Sequence, residues 1–467
     1  MAASKYFFCG IGGSGMLPLA LIVHATGADV AGSDRSLDQG RIGDKFAYLE
    51  RQGISLFPQD GSGVTSPDQL LVASAAIEES VPDIQAARRV GAQLITRAEL
   101  LARLFNAAPV SVGVAGTSGK STVTGMIAWI LTRAGKDPTV MNGAVMKNYA
   151  TPDAPYASAL AGRGQYFVSE VDESDGSIAL YEPRIAVINN VTLDHKSLDE
   201  LRPLFRSFAQ KAERVVLNLD DSETRALLPY VAEAKRLGFS FEGREAALAG
   251  GEIVEGDGFT RFDFSHGGER HEVTLPLWGA HNARNALAAI AAALAAGVPA
   301  ARAAAALADF KGLRRRFEVV GESGGVTIID DFAHNPDKIA ATLGAARAGL
   351  KGRLLLFFQP HGYGPLRLMK QPLIDTFAEG MTDADALILC DPVYYGGTVD
   401  RAIGSGDIVA GVEQAGRHAE YLPDREACGA RLAELARPGD RILVMGARDD
   451  TLSAFAASLL ARLPDDA

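Results

Sequence analysis

The sequence predicts an α/β protein of three successive domains: an N-terminal Rossmann-like domain, a central sheet of P-loop type carrying β-hairpins, and a C-terminal Rossmann-like domain. Three observations predict it. Short apolar runs alternate with helix-like segments through three blocks of the 467-residue chain. Two glycine turns, Gly10–Gly15 and Gly116–Gly119, each follow a strand-like run and precede a helix-like one. Between Gly250 and Leu277 the pattern changes to apolar–polar alternation broken by glycine-rich turns, which reads as hairpins.

The first block, residues 1–107, opens with a strand at Tyr6–Cys9. A glycine turn and an apolar helix, Met16–Thr26, follow. Further strands are expected at Asp29–Gly32, Leu70–Ala73 and Gln93–Ile95, and Asn106–Pro109 reads as a linker. The second block, 108–311, has strands at Val110–Val114, Gln165–Ser169, Arg184–Ile188 and Val215–Asn218, with a helix from Ser121 to about Ala134. An Ala-rich stretch closes it, and Gly297, Pro299 and Arg302 divide that stretch into two helices rather than one membrane span. The third block, 312–467, reads strand Val326–Ile329, helix Pro336–Ala348, strand Leu354–Phe358, helix Met369–Ala378, strand Ala386–Cys390. It ends on the pair Arg441–Met445 and Thr451–Leu463. All three blocks are expected to hold mainly parallel sheets.

Composition bounds the function. With 47% hydrophobic and 22% charged residues the chain has the make-up of an ordinary globular protein. A net charge of −11 argues against nucleic-acid binding, which needs basic faces. Cys9, Cys390 and Cys428 form no CxxC or Cys/His cluster, so a reduced, cytoplasmic compartment is expected. No leader-like or membrane-spanning run is apparent. The expected assembly is a monomer or a homodimer.

The segment Gly116-Thr117-Ser118-Gly119-Lys120-Ser121-Thr122 is a phosphate loop. Glycines expose backbone N–H groups, the helix N-terminus favours anions, and Lys120 adds a positive charge for terminal phosphates. The hydroxyl of Ser121 stands where a Mg²⁺ ligand is expected. The central domain is therefore P-loop ATPase-like, with ATP and Mg²⁺ as expected ligands. The general pattern asks for a glycine where this chain has Val114. Two other strand ends of the block carry oxygen and nitrogen donors: Glu170-Val171-Asp172-Glu173-Ser174-Asp175, and Asp194-His195 after Asn189-Asn190. Ligands of open α/β sheets sit beyond such strand ends. Glu170 suits a hard cation and His195 is a less usual ligand. Alone, each would pass for a solvated acidic loop and a surface histidine.

Gly10-Ile11-Gly12-Gly13-Ser14-Gly15 fits GxGxxG, with Asp34 at the next strand end where a ribose-binding acid belongs. By itself the pattern suggests NAD, but physically it asks only for a pyrophosphate on a helix N-terminus.

Taken together, the motifs resemble the Mur ligases, ATP-dependent amide ligases of peptidoglycan precursor synthesis. The resemblance runs the full length. The phosphate loop with Gly116-Thr117 is similar to theirs and accounts for Val114. Gly279-Ala280-His281-Asn282-Ala283-Arg284-Asn285-Ala286 resembles their GxHNxxNA motif. Arg315-Arg316-Phe317-Glu318 and Asp330-Asp331-Phe332-Ala333-His334-Asn335-Pro336 resemble the motifs opening their C-terminal domain. Within the family, the glycine turn, Gly32-Ser33-Asp34, the acidic run 170–175 and Phe358-Gln359-Pro360-His361 are most similar to the branch that joins L-alanine to UDP-N-acetylmuramate.

The resemblance implies a site. Residues 116–122 would bind ATP, with Asn285 on its adenine side and Arg316 and Asp331 contacting it from the third domain. Lys120, His195, Arg316 and His334 would be catalytic, and Ser121, Glu170 and His195 would hold metal. Gly12, Gly13, Ser14, Gly15, Met16, Asp34 and Ser74 would bind a UDP-sugar. Some positions depart from the alanine-adding pattern. Asn335-Pro336-Asp337 replaces a His-Pro-Thr-type stretch, Gly362 and Pro365 stand where arginines are usual, and Lys196 replaces a small or apolar residue. These fall at the acceptor end and leave the amine open. A tripeptide-recycling ligase, another amino acid or UDP-sugar, and a non-catalytic nucleotide-binding paralogue stay as alternatives.

Overall fold

A computed structural model describes residues 5–74, 77–192, 197–393, 400–449 and 451–463. Three sheets organise it. The first has five parallel strands in the order Ser55–Phe57, Asp29–Ser33, Lys5–Cys9, Gln69–Ala73, Gln93–Thr96. The strand Lys5–Cys9 is central, so the glycine turn at its end lies beside the ends of Asp29–Ser33 and Gln69–Ala73. Phe7 and Phe8 point to opposite faces and both are fully buried, one in each of two cores.

The second sheet has ten strands. At its heart Val110–Ala115 lies between Ile185–Ile188 and Tyr166–Glu170, all parallel. These strands are continuous apolar runs because helices cover both faces. Gly113 is a packing glycine: a Cβ there would come within 2.9 Å of Phe208. The hairpin strands Leu248–Gly256, Phe259–His266 and Glu269–Leu275 extend one end of the sheet.

The third sheet has six strands in the order Glu318–Ser323, Val326–Asp331, Arg441–Gly446, Leu354–Gln359, Ala386–Leu389, His418–Tyr421. Its first pair is antiparallel and its other pairs are parallel, so the sheet is mainly parallel as expected but begins one strand before Val326. The strand Glu318–Ser323 escaped notice because a register shift between Val319 and Gly321 breaks its alternation. The short strands Ser55–Phe57 and His418–Tyr421 were also unexpected. The Ala-rich stretch forms the helices Ala280–Ala295 and Ala300–Ala306, and no helix among the described residues is long and apolar enough to cross a membrane.

The chain divides into two compact units. One is Met1–Gly251 with Phe264–His271 and Asn285–Leu307; the other is Glu252–Asp263 with Glu272–Arg284 and Ala308–Ala467. Each holds one of the two tryptophans. Trp129 donates its indole N–H to the Ala306 carbonyl at 2.9 Å in the first unit. Trp278 is buried in the second, with the Arg441 guanidinium 4.1 Å over its ring. The three cysteines are buried and free, and burial pushes the Cys9 and Cys428 thiols up to about 12. They are inert thiols rather than nucleophiles.

Candidate active site

In the first unit the chain leaves Val110–Ala115, turns through the phosphate loop and enters the helix Lys120–Arg133. Gly116 has φ +140° and packs on the Asn190 backbone, where a Cβ would meet the carbonyl at 3.0 Å. Gly119 has φ +81° and no side chain caps the helix it starts. The first-turn amides thus form an anion site. Asn190 clamps the loop from the neighbouring strand end. Its Oδ1 accepts from the Ser118 amide at 2.8 Å and the Thr117 hydroxyl at 2.9 Å, and its Nδ2 donates to the Ser118 carbonyl at 2.9 Å.

Lys120 reaches back over the loop. Its Nζ donates to the Gly116 carbonyl at 2.7 Å and to both Glu173 oxygens, at 2.9 and 3.1 Å. Burial alone would depress this amine, but Glu173, Glu170 and Asp172 hold it above the ordinary lysine value, so it stays an ammonium. Burial pushes the Glu173 carboxyl up, against the pull of the Lys120 charge.

Ser121 and Glu170 meet because their elements are neighbours. Glu170 ends the strand paired with Val110–Ala115, opposite Val114. Its Oε2 accepts from the Ser121 hydroxyl and from the Gly143 amide, both at 2.9 Å. Thr122 sits in the first helical turn. Asn285 is buried beside Gly119, where a Cβ would come within 2.5 Å of its Oδ1. Asp194 and His195 lie outside the described residues.

The glycine turn of the first sheet is a second helix N-terminus without a side-chain cap. The Gly10 and Ile11 amides donate to the Ser33 carbonyl at 2.8 and 2.9 Å, and Met16 closes the turn on the Gly13 carbonyl. Asp34 braces it: Oδ2 accepts from the Gly12 amide at 2.9 Å and Oδ1 from the Ser36 amide at 2.8 Å. Gly13 and Ser14 are exposed, and so is Ser74, just past the strand Gln69–Ala73. Two cations flank the turn. Lys45 donates to the Gly12 carbonyl at 3.1 Å, and Arg97 lies where a Cβ on Gly15 would touch it at 3.1 Å.

The second unit gathers Arg316, Asp331 and His334. Here Arg315 and Phe317 both have positive φ, +58° and +48°, without being glycine. The surroundings hold them there. The Arg315 guanidinium donates to the Gly446 and Asp449 carbonyls at 2.7 and 3.0 Å. Asp331 Oδ1 accepts from the Phe317 and Phe332 amides at 3.1 and 2.9 Å, and Oδ2 from the Thr342 hydroxyl. The Arg316 guanidinium stacks 4.7 Å over the Phe332 ring. His334 bonds the Phe332 carbonyl through Nδ1 at 2.8 Å, and its ring packs edge-on against His361 with centroids 4.9 Å apart. Burial pushes Asp330 up to about 6, opposed by Arg315. Burial also lowers His281, leaving a neutral imidazole.

Two uncapped helix N-termini, a buried lysine, and a serine–glutamate pair on adjacent strand ends make a set of groups chemically suited to phosphorylated ligands. Comparison with known proteins agrees along the whole chain. Three family models match in order: the Mur ligase family catalytic domain over residues 5–108, the Mur ligase middle domain over 114–293, and the Mur ligase glutamate ligase domain over 315–448. A UDP-N-acetylmuramate–L-alanine ligase of Cereibacter sphaeroides is 36% identical, covering 98% of this chain and 96% of its own. The chain is a Mur ligase. A Paracoccus denitrificans protein of the same name is also 36% identical, over 98% of this chain and 97% of its own. Among solved structures, a UDP-N-acetylmuramate–alanine ligase from Thermotoga maritima superposes with TM-score 0.78 at 25% identity, covering 98% of both chains. A murein peptide ligase from Psychrobacter arcticus shares the fold, with TM-score 0.69 at 24% identity over 99% of both chains.

This Mur ligase therefore has the three-domain α/β fold that its sequence predicts, and it is an enzyme. Sequence reasoning missed Glu173 as the partner of Lys120, Asn190 as the loop clamp, and Lys45 and Arg97 beside the glycine turn. The acidic run flagged Glu173 among several carboxylates. Lys45 and Arg97 sit on helices and carry no motif.

Proposed function

We propose that this Mur ligase joins L-alanine to UDP-N-acetylmuramate through an acyl phosphate, with ATP giving ADP and phosphate. The single observation that carries this is 36% identity, end to end, with proteins named for that reaction. Residues 1–107 would hold the UDP-sugar, 108–311 ATP, and 312–467 would complete the ligase site. The compartment would be the cytoplasm.

The donor set at the phosphate loop fits Mg²⁺. The Ser121 hydroxyl and the Glu170 carboxylate are hard oxygen donors 2.9 Å apart on adjacent strand ends. These two would hold the ion, together with His195. When bound, Mg²⁺ offsets the negative charge of the β- and γ-phosphates.

The chain's own residues do the rest. The N-terminus of the helix Lys120–Arg133 and Lys120 itself would orient the triphosphate and stabilise charge on the transferring group as the substrate carboxylate attacks it. To do so, Lys120 exchanges Glu173 for phosphate oxygens. Asn285 would meet the adenine side. Arg316 would add a further charge, Asp331 would keep that arginine's loop in place, and His334 would lie near the reacting centre. The amine then attacks the acyl phosphate and phosphate leaves. Gly12–Met16, Asp34 and Ser74 would form the UDP-sugar cradle, with Lys45 and Arg97 countering its pyrophosphate.

The test is phosphate release from ATP with UDP-N-acetylmuramate and a panel of amino acids and short peptides. Release with L-alanine is expected. Release only with a tripeptide, or with no acceptor at all, overturns the L-alanine reading.

A further inference from the structure

Asn189 follows the strand Ile185–Ile188 and is only 4% exposed. Its Nδ2 donates to the Ser118 carbonyl at 3.1 Å and to Asn285 Oδ1 at 3.0 Å. Its backbone carbonyl accepts from Asn218 Nδ2 at 3.0 Å, which fixes the residue from the next strand. A Cβ on Gly119 would lie 2.7 Å from Asn189 Nδ2 and 2.5 Å from Asn285 Oδ1. Two amides therefore pack directly on the last glycine of the phosphate loop.

The buried Oδ1 of Asn189 has no hydrogen-bond partner among the described residues. An unmet buried acceptor is costly, so something must forbid the flipped amide. The two acceptors facing Nδ2 do so: a flip would set oxygen against both the Ser118 carbonyl and Asn285 Oδ1. The orientation of one amide then dictates the other. With its oxygen engaged by Asn189, the Asn285 amide is fixed in one orientation beside Gly119.

We propose that Asn189 is a positioning residue for the nucleotide, setting the Ser118 carbonyl and the Asn285 amide together so that the triphosphate and the base are held in one register. This rests on the nucleotide reading of residues 116–122 and of Asn285.

A double-mutant cycle tests it on the full-length protein with Mg²⁺, by calorimetric binding of a non-hydrolysable ATP analogue. Asn189→Leu keeps the size and removes the donor. The expected loss of analogue affinity is roughly tenfold or more. In an Asn285→Ala background the same change should cost about threefold or less, because the base contact it orients is already gone. Inorganic tripolyphosphate, which lacks a base, should feel Asn189→Leu by a similarly small factor. Equal losses in both backgrounds, or unchanged binding by Asn189→Leu, overturn the proposal. If Asn189→Leu does not fold, Asn285→Ala alone decides: an equal loss for analogue and tripolyphosphate overturns it. Wild-type protein that binds neither ligand overturns instead the nucleotide reading beneath it.

Discussion

The phosphate loop and the Arg315–Phe317 loop are both tight turns that present a cation, yet they are built in opposite ways. The first uses glycines for its left-handed positions, Gly116 and Gly119. Its Thr117 and Ser118 amides are held by Asn190, the helix it starts has no side-chain cap, and Lys120 rests on the Glu173 carboxylate. The second uses an arginine and a phenylalanine at positive φ, and is held by Asp331, Gly446 and Asp449. One loop is shaped by residue type and the other by its surroundings. Substitutions in the first should therefore strike the chemistry, and substitutions in the second should strike stability as well.

The sharpest separation is expected at Lys120. Lys120→Ala should lower turnover roughly 10³-fold or more, by loss of charge stabilisation. It also strands the buried Glu173, at a cost of about 3 kcal/mol. Adding Glu173→Gln should restore the melting temperature without restoring turnover. If the double variant regains activity, the lysine is a structural cation and the contrast collapses.

At the other loop, Asp331→Ala removes the acceptor of two backbone amides that hold positive-φ residues. A stability loss of about 3 kcal/mol is expected by thermal unfolding. A variant with wild-type stability and reduced turnover would put Asp331 in direct contact with the nucleotide instead.

Asp330 sharpens the same side through pH. Its folded value is raised to about 6 from 3.8, so the stability it contributes is fully present below pH 3.8 and lost as pH rises through 6. The shift corresponds to about 3 kcal/mol. Asp330→Asn cannot ionise. The stability of this variant relative to wild type should therefore climb between pH 4 and 6. A flat difference across that range would mean that Asp330 is ionised and fully paired by Arg315.

The smallest effect is expected at Gly119. A Cβ there meets Asn285 and Asn189 and sits at φ +81°. Gly119→Ala should weaken ATP binding about tenfold, through roughly 1–2 kcal/mol of backbone strain plus displacement of the amides. Unaltered binding would show that the loop tolerates movement.

The same contrast explains what could be read from the sequence. The phosphate loop was legible because glycine, lysine and serine at fixed spacing each have a stated physical job there. So were the three strand–helix blocks and the hairpins, whose periodicities differ. The Arg315–Phe317 conformation was not, because no residue type in it signals positive φ. Glu173 stood in view within an acidic run, but only the pairing of Tyr166–Glu170 with Val110–Ala115 brings it onto Lys120. Asp34 was expected as a sugar contact. It also braces Gly12 and Ser36 from within, a second role that depends on the turn's path and is not legible in the motif. Asn189 and Asn190 stood at a donor-bearing strand end in the sequence, but only the pairing of Ile185–Ile188 with Val110–Ala115 places them against the loop.

The two tryptophans fall one to each compact unit. Excitation near the red edge of protein absorbance therefore interrogates each half of the enzyme through a single emitter. Trp129→Phe silences the half with the phosphate loop and leaves only the indole stacked beneath Arg441. Trp278→Phe does the reverse. Titrating each variant with nucleotide would resolve optically which half responds first, with no dye attached.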